Sequence, residues 1–131
     1  MTSAKDADIT VEMNTENFDD LTSRAGVVLV DCWAPWCGNC DQFAKIYRRV
    51  AAKHKAHTFA TFNTQGQEEL CSKLGVQHVP CLLVYRDGLL LFNQPGNYDE
   101  ATMDDIIAQA EGLDMKVVRA EMASQQNDSE S

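Results

Sequence analysis

The sequence predicts an α/β domain: a mixed central β-sheet with helices on both faces. Three observations predict it. Strand-like apolar runs alternate with amphipathic helix patterns along most of the chain. Two late strands are joined by Asp87-Gly88, a hairpin signal that adds an antiparallel pair to the crossover-connected strands. Val27-Val28-Leu29-Val30 is continuously apolar, as suits a central strand covered on both faces.

In chain order, residues 1–7 read as a loose polar arm and residues 8–112 as one domain with no internal repeat. Ile9, Val11 and Met13 alternate with polar residues like a half-buried strand. A short helix is expected from about Thr15, with Phe18 and Leu21 facing the core. The Val27 run leads through Asp31, Cys32 and Trp33 into Trp36-Cys37-Gly38-Asn39-Cys40. Phe43, Ile46, Tyr47, Val50, Ala51 and His54 then recur on one helical face. Lys45, Arg48, Arg49, Lys53 and Lys55 take the other positions and read as a solvated face complementing the helix dipole. Thr58 to Asn63 reads as a strand. Glu68 to Leu74 reads as a short helix closed by Gly75, which suits a left-handed cap. Cys81 to Arg86 and Leu89 to Phe92 form the hairpin. Met103, Ile106, Ile107 and Ala110 mark a helix that stops near Gly112. Met115, Val118 and Met122 suggest one more short helix over 113–123, and the polar residues 124–131 read as a disordered tail.

At 131 residues, 44% hydrophobic and 24% charged, the chain has the composition of a soluble globular protein with room for an ordinary core. A net charge of −9 argues against nucleic acid and anionic membranes as partners. No apolar run approaches membrane-spanning length. Met1 to Thr10 lacks the apolar segment of a secretory signal, so a cytoplasmic location is expected. A monomer is expected. Five cysteines cannot all pair within one chain. In a reducing compartment Cys32, Cys71 and Cys81 are most simply free thiols, with Cys71 the most accessible.

The two cysteines of Trp36-Cys37-Gly38-Asn39-Cys40 lie between a strand and a helix start, a setting that reads as a redox dithiol. Unpaired N–H groups and the dipole at a helix N-terminus favour a thiolate at Cys37, the attacking group in disulfide exchange. Cys40, one turn further in, would resolve the mixed disulfide. A zinc site would need four ligands, and no second C-x-x-C exists beyond the sparse pair His78 and Cys81. Asp31 ends a buried strand, where burial should raise its pKa. Pro80 stands at the mouth of an interior strand, which leaves both cis and trans open.

Together these motifs, with Gly75-Val76, Val79-Pro80, Arg86-Asp87-Gly88 and Gly96, resemble the thioredoxin family over roughly residues 8 to 112. Leu113-Asp114-Met115 and Val118-Arg119-Ala120-Glu121 also resemble bacterial members that carry a C-terminal extension. The resemblance implies a thioredoxin fold and dithiol–disulfide exchange through a redox-active Cys37–Cys40 disulfide, with no bound cofactor and no metal. It implies that Asp31 is the buried acid exchanging a proton with Cys40, and that Pro80 is cis. It implies a substrate surface of Trp36, Gly38, Asn39, Val79, Pro80 and Gly96, with Val79 pairing its backbone to the substrate. The implied partners are disulfide-containing proteins and an NADPH-dependent thioredoxin reductase. Two departures stand out. Asn39 replaces the usual proline, which suggests a more oxidising couple and keeps an oxidase or isomerase role open beside reduction. Thr61 replaces a common lysine, which removes a cation from beside Asp31. A binding module in which the dithiol is incidental is a third reading.

Overall fold

The computed structural model describes residues 9–130, and its sheet is centred on β2 (Val27–Trp33). The arm expected over 1–7 lies outside the described residues. Every residue of β2 is buried except the half-buried Trp33. Its alternate side chains feed two cores: Val27 and Leu29 face one way, Val28, Val30 and Cys32 the other.

Around β2 the order is β1 (Val11–Glu12), β3 (Thr58–Asn63), β2, β4 (Cys81–Arg86) and β5 (Leu89–Pro95). β1, β3 and β2 run parallel, while β4 is antiparallel to β2 and β5 to β4. This is the mixed sheet expected from the crossovers and the late hairpin. Asp87, at φ 54°, and Gly88, at φ 80°, make the hairpin turn.

On one face lie α2 (Gly38–Lys53) and α4 (Glu100–Glu111). Phe43, Tyr47, Val50 and Ala51 of α2 join Met103 and Ile107 of α4 over Leu29, Phe59 and Leu82. The Tyr47 hydroxyl is within hydrogen-bond distance of both Leu29 O (2.8 Å) and Ala60 O (2.7 Å), tying α2 to β2 and β3. On the other face, α1 (Phe18–Thr22) and α3 (Glu68–Leu74) place Leu21, Leu70 and Leu74 against Val30, Phe62 and Leu83. Each large apolar side chain fully buried in these cores stabilises the fold by roughly 1.5–3 kcal/mol.

Four boundaries differ from expectation. Strand pairing at the N-terminus is limited to Val11 and Glu12, extended by Met13 N–H donating to Thr61 O at 2.7 Å. Ile9 packs on the α2–α4 side, opposite Val11 and Met13. α1 starts at Phe18 rather than Thr15. Asn14 Oδ1 accepts from the Glu16 and Asn17 backbone N–H groups, Asn17 Oδ1 accepts from Asn14 N–H, and Asn14 O accepts from Phe18 N–H, so a capped turn over 15–17 precedes the regular helix. β5 continues to Pro95, because Asn93, Gln94 and Pro95 pair with β4 although they carry no apolar signal.

The last correction concerns the C-terminus, where α5 spans Met115–Glu130 and so occupies the stretch expected as a tail. No glycine or proline interrupts residues 115–130. Arg86 anchors the entry to α5, its Nη1 donating to the carbonyls of Ala110, Glu111 and Leu113 at 2.8, 3.0 and 2.8 Å. Arg119 of α5 pairs with Asp87 at 2.8 Å.

The basic face of α2 is not simply solvated. Arg49 reaches Glu100 (3.2 Å), Lys53 reaches Glu100 (2.7 Å) and Asp104 (2.6 Å), and His54 meets Asp104 (2.9 Å). Two of that face's five cations, Arg49 and Lys53, thus pair with α4. His57, which carried no sequence signal, accepts the Val27 N–H at 3.1 Å and meets Glu111 at 3.2 Å. Among the described residues no helix is long and apolar enough to cross a membrane.

Candidate active site

β2 delivers the chain to the N-terminus of α2, and the dithiol sits on that junction. Cys37 is the residue before the first helical turn, with extended backbone (φ −96°, ψ 106°), and its N–H donates to Ala34 O at 3.1 Å. No side chain caps the helix there, so the first-turn N–H groups lie around the cysteines. Cys37 and Cys40 are joined as a disulfide, with Cα atoms 5.4 Å apart. Cys37 is half-buried and Cys40 buried, so one sulfur can be approached from outside and the other is shielded. Trp36, beside them, is 75% exposed, and Gly38 and Asn39 are exposed as well.

Beneath this turn lies Asp31, only 2% exposed. It pairs in register with Thr61 of β3 and Leu82 of β4. Its Oδ1 is the one buried side-chain N or O atom among the described residues without a hydrogen-bond partner. Burial pushes its carboxyl up to about 7, while the Arg48 guanidinium pulls the other way. A cavity of about 230 Å³ joins Asp31 to Cys40 and is lined also by Trp33, Tyr47, Arg48 and Thr61. Thr61 supplies no charge, as the sequence implied, but Arg48 brings a cation from the helix instead. Sequence reading missed this, having placed Arg48 on the solvated face. The usable signal was its position next to Tyr47, a core residue of the same helix.

The Val79–Pro80 peptide is cis. Pro80 is buried and Val79 half-buried. Gly96 N–H donates to Pro80 O at 2.9 Å, which holds the loop after β5 against the proline. At φ 152°, Gly96 adopts a backbone that side-chain-bearing residues rarely take, and a Cβ there would meet the Tyr98 ring at 3.3 Å. Asn97 reaches Gln42 of α2 at 3.3 Å, joining the same loop to the dithiol helix. A groove of about 650 Å³ opens beside the dithiol, with Trp36, Thr64, Glu68, Cys71, His78 and Val79 on its walls. Trp33 is half-buried and lines the Asp31 cavity rather than the groove.

Residues 9–110 match the thioredoxin family. The chain belongs to that family. A Streptomyces coelicolor protein named "Putative thioredoxin 2" is 40% identical over 117 residues, covering 89% of this chain and 87% of its own length. Protein disulfide-isomerase A3 of Gallus gallus is 34% identical over 101 residues, 75% of this chain but 19% of that protein. A solved mutant thioredoxin from Halobacterium salinarum superposes with a TM-score of 0.70 at 31% identity, covering 80% of this chain and 91% of that one. With its linked Cys37–Cys40 pair, this thioredoxin-family protein is a thiol–disulfide oxidoreductase acting on disulfide-containing substrates. The reading of the fold as a mere binding module is thereby set aside.

Proposed function

We propose that the protein works chiefly as a disulfide reductase, a cytoplasmic monomer recharged by an NADPH-dependent thioredoxin reductase. The observation that carries this is the asymmetry of the dithiol, with Cys37 half-buried at the helix N-terminus and Cys40 buried. In the reduced protein the Cys37 thiolate attacks one sulfur of a substrate disulfide. The Cys37–substrate S–S bond forms, and the other substrate sulfur leaves as a thiolate that takes up a proton. Cys40 then loses its proton and attacks Cys37, releasing the second substrate thiol and closing the Cys37–Cys40 disulfide. Two electrons pass to the substrate in each cycle, and the reductase returns them from NADPH.

Asp31 is the group suited to take the proton from Cys40. Both line one cavity, and a carboxyl with a pKa near 7 can accept and return a proton around neutral pH. The cavity is polar and roomy enough for water to bridge them. Trp36, Gly38, Asn39, Val79, Pro80 and Gly96 serve as the substrate-contacting rim, the Val79 backbone pairing with an extended substrate segment. The reaction needs no bound cofactor or metal, since the dithiol itself carries the electrons. Reduction is favoured over isomerisation by the relative that matches along most of both chains, a named thioredoxin.

Insulin reduction with NADPH and a thioredoxin reductase tests the reading. Turnover by the wild type that Cys37→Ser abolishes is expected, together with trapped mixed disulfides in Cys40→Ser. No wild-type turnover, with oxidation of reduced substrate instead, would assign the oxidant role that Asn39 leaves open.

A further inference from the structure

Behind the Asp31 strand lies a pair of thiols that the exchange reaction does not use. Cys32 of β2 stands directly opposite Cys81 of β4 in the antiparallel ladder. Opposed residues in such a ladder have Cα atoms about 4.5 or 5.5 Å apart and side chains on the same face. A disulfide accepts Cα separations of about 4.4–6.8 Å, so either spacing suits one. Both residues belong to the core cluster under α1 and α3, on the far side of the sheet from Tyr47. Both are free and buried, at 0% and 1% exposure.

The two thiols also differ chemically. Their facing position across the ladder pushes the Cys32 thiol up and draws the Cys81 thiol down. Cys81 is therefore the better nucleophile of the pair. Its S–H donates to Asn93 Oδ1 at 3.3 Å on β5, the edge strand that pairs with it. Burial keeps proteins and bulky thiols away, which leaves a small neutral oxidant as the matching reagent.

We propose that Cys32 and Cys81 are a second redox couple, which hydrogen peroxide closes into a cross-strand disulfide between β2 and β4. The Cys81 thiolate attacks peroxide, forming an S–O bond and breaking the O–O bond. Hydroxide leaves and takes a proton to become water, and Cys81 becomes a sulfenic acid. Cys32 gives up its proton and attacks that sulfur. The S–S bond forms, the S–O bond breaks, and hydroxide departs with the proton as a second water. Two thiols lose two electrons and one peroxide gains them. The bridge joins the strand that carries Asp31 to the strand that starts after Pro80, so it braces both supports of the active site. Cys71 is the competing target, because it is half-buried on the wall of the groove.

The test uses the full chain carrying Cys37→Ser, Cys40→Ser and Cys71→Ser, so that Cys32 and Cys81 are its remaining thiols. The folded protein is treated with hydrogen peroxide, unfolded, and alkylated without reductant. A mass lighter by two hydrogens, no alkyl groups, and two alkyl groups after dithiothreitol are expected. Two alkyl groups without reductant, or retained peroxide oxygen on either cysteine, would overturn the proposal. Should that variant not fold, Cys37→Ser/Cys40→Ser alone is oxidised and digested with trypsin. A link between peptides 25–45 and 74–86 supports the couple, whereas a link from either to 56–73, which holds Cys71, overturns it.

Discussion

Asp31 and Cys40 line the same cavity, about 230 Å³ in volume, although one belongs to β2 and the other to α2. The acid and the shielded sulfur thus share one polar space beneath the surface. The consequences of that relationship can be measured.

The first concerns stability. The Asp31 carboxyl is pushed from its ordinary 3.8 to about 7. Between these values the native state binds a proton that the unfolded chain has lost. Stability therefore falls as pH rises from about 4 to about 7 and stays reduced above it. Three pKa units correspond to a cost of about 4 kcal/mol for keeping the carboxylate buried. Denaturation of Asp31→Asn at about pH 8 should show a gain of up to that size, vanishing near pH 4. An equal difference from wild type at both pH values would show that Asp31 is not a buried acid with a raised pKa.

Arg48 should set where Asp31 titrates. Its guanidinium is the charge that lowers the Asp31 pKa against the larger effect of burial. Arg48→Met removes that charge and keeps the side-chain stem. The Asp31 carboxyl resonance should then titrate at higher pH, and the pH dependence of reductase turnover should move the same way. An unshifted carbon-13 titration would leave Arg48 with no electrostatic part.

Asn39 should make the couple more oxidising than a proline would. It lies in the first turn of α2 and contributes an N–H next to the sulfurs, which favours the thiolate form. Asn39→Pro is expected to lower the reduction potential by about 30 mV, equivalent to about 1.4 kcal/mol. Equilibration with glutathione measures this, and an unchanged or higher potential contradicts it.

Gly96→Ala should be costly. The residue would have to hold φ 152° and push its Cβ into Tyr98 while keeping the bond to Pro80 O. A loss of about 1–3 kcal/mol is expected. Urea denaturation gives the stability, and the KM for insulin should rise because the loop beside Pro80 shifts.

Arg86→Ala should loosen the end of α4 and the start of α5. Three carbonyls would lose a charged donor, at about 1.5–3 kcal/mol for a charged hydrogen bond of this kind. Hydrogen exchange should speed up in residues 111–118 first, with the dithiol activity retained.

Much of this molecule was legible from residue order. The β3, α3 and β4 spans follow from local signals: an apolar run, a glycine that tolerates a left-handed cap, a proline at a strand mouth. The boundaries that moved depend on partners that periodicity does not name. Asn14 and Asn17 cap each other's backbone and hold a separate turn ahead of α1. Asn93, Gln94 and Pro95 become strand only because β4 lies beside them. In the site, the dithiol could be read from its cysteines and the strand-to-helix context around them.

By itself, then, the sequence determined the exchange chemistry and the order of elements, because both are written in short-range patterns: C-x-x-C at a helix start, an acid within an apolar strand, alternating strands and helices. Only the tertiary structure decided the electrostatics. Arg48, not a residue at position 61, is the cation acting on Asp31, and Cys32 faces Cys81 across a ladder that joins distant stretches of chain. Such pairings arise from helix rotation and strand register, which are set when the two cores pack.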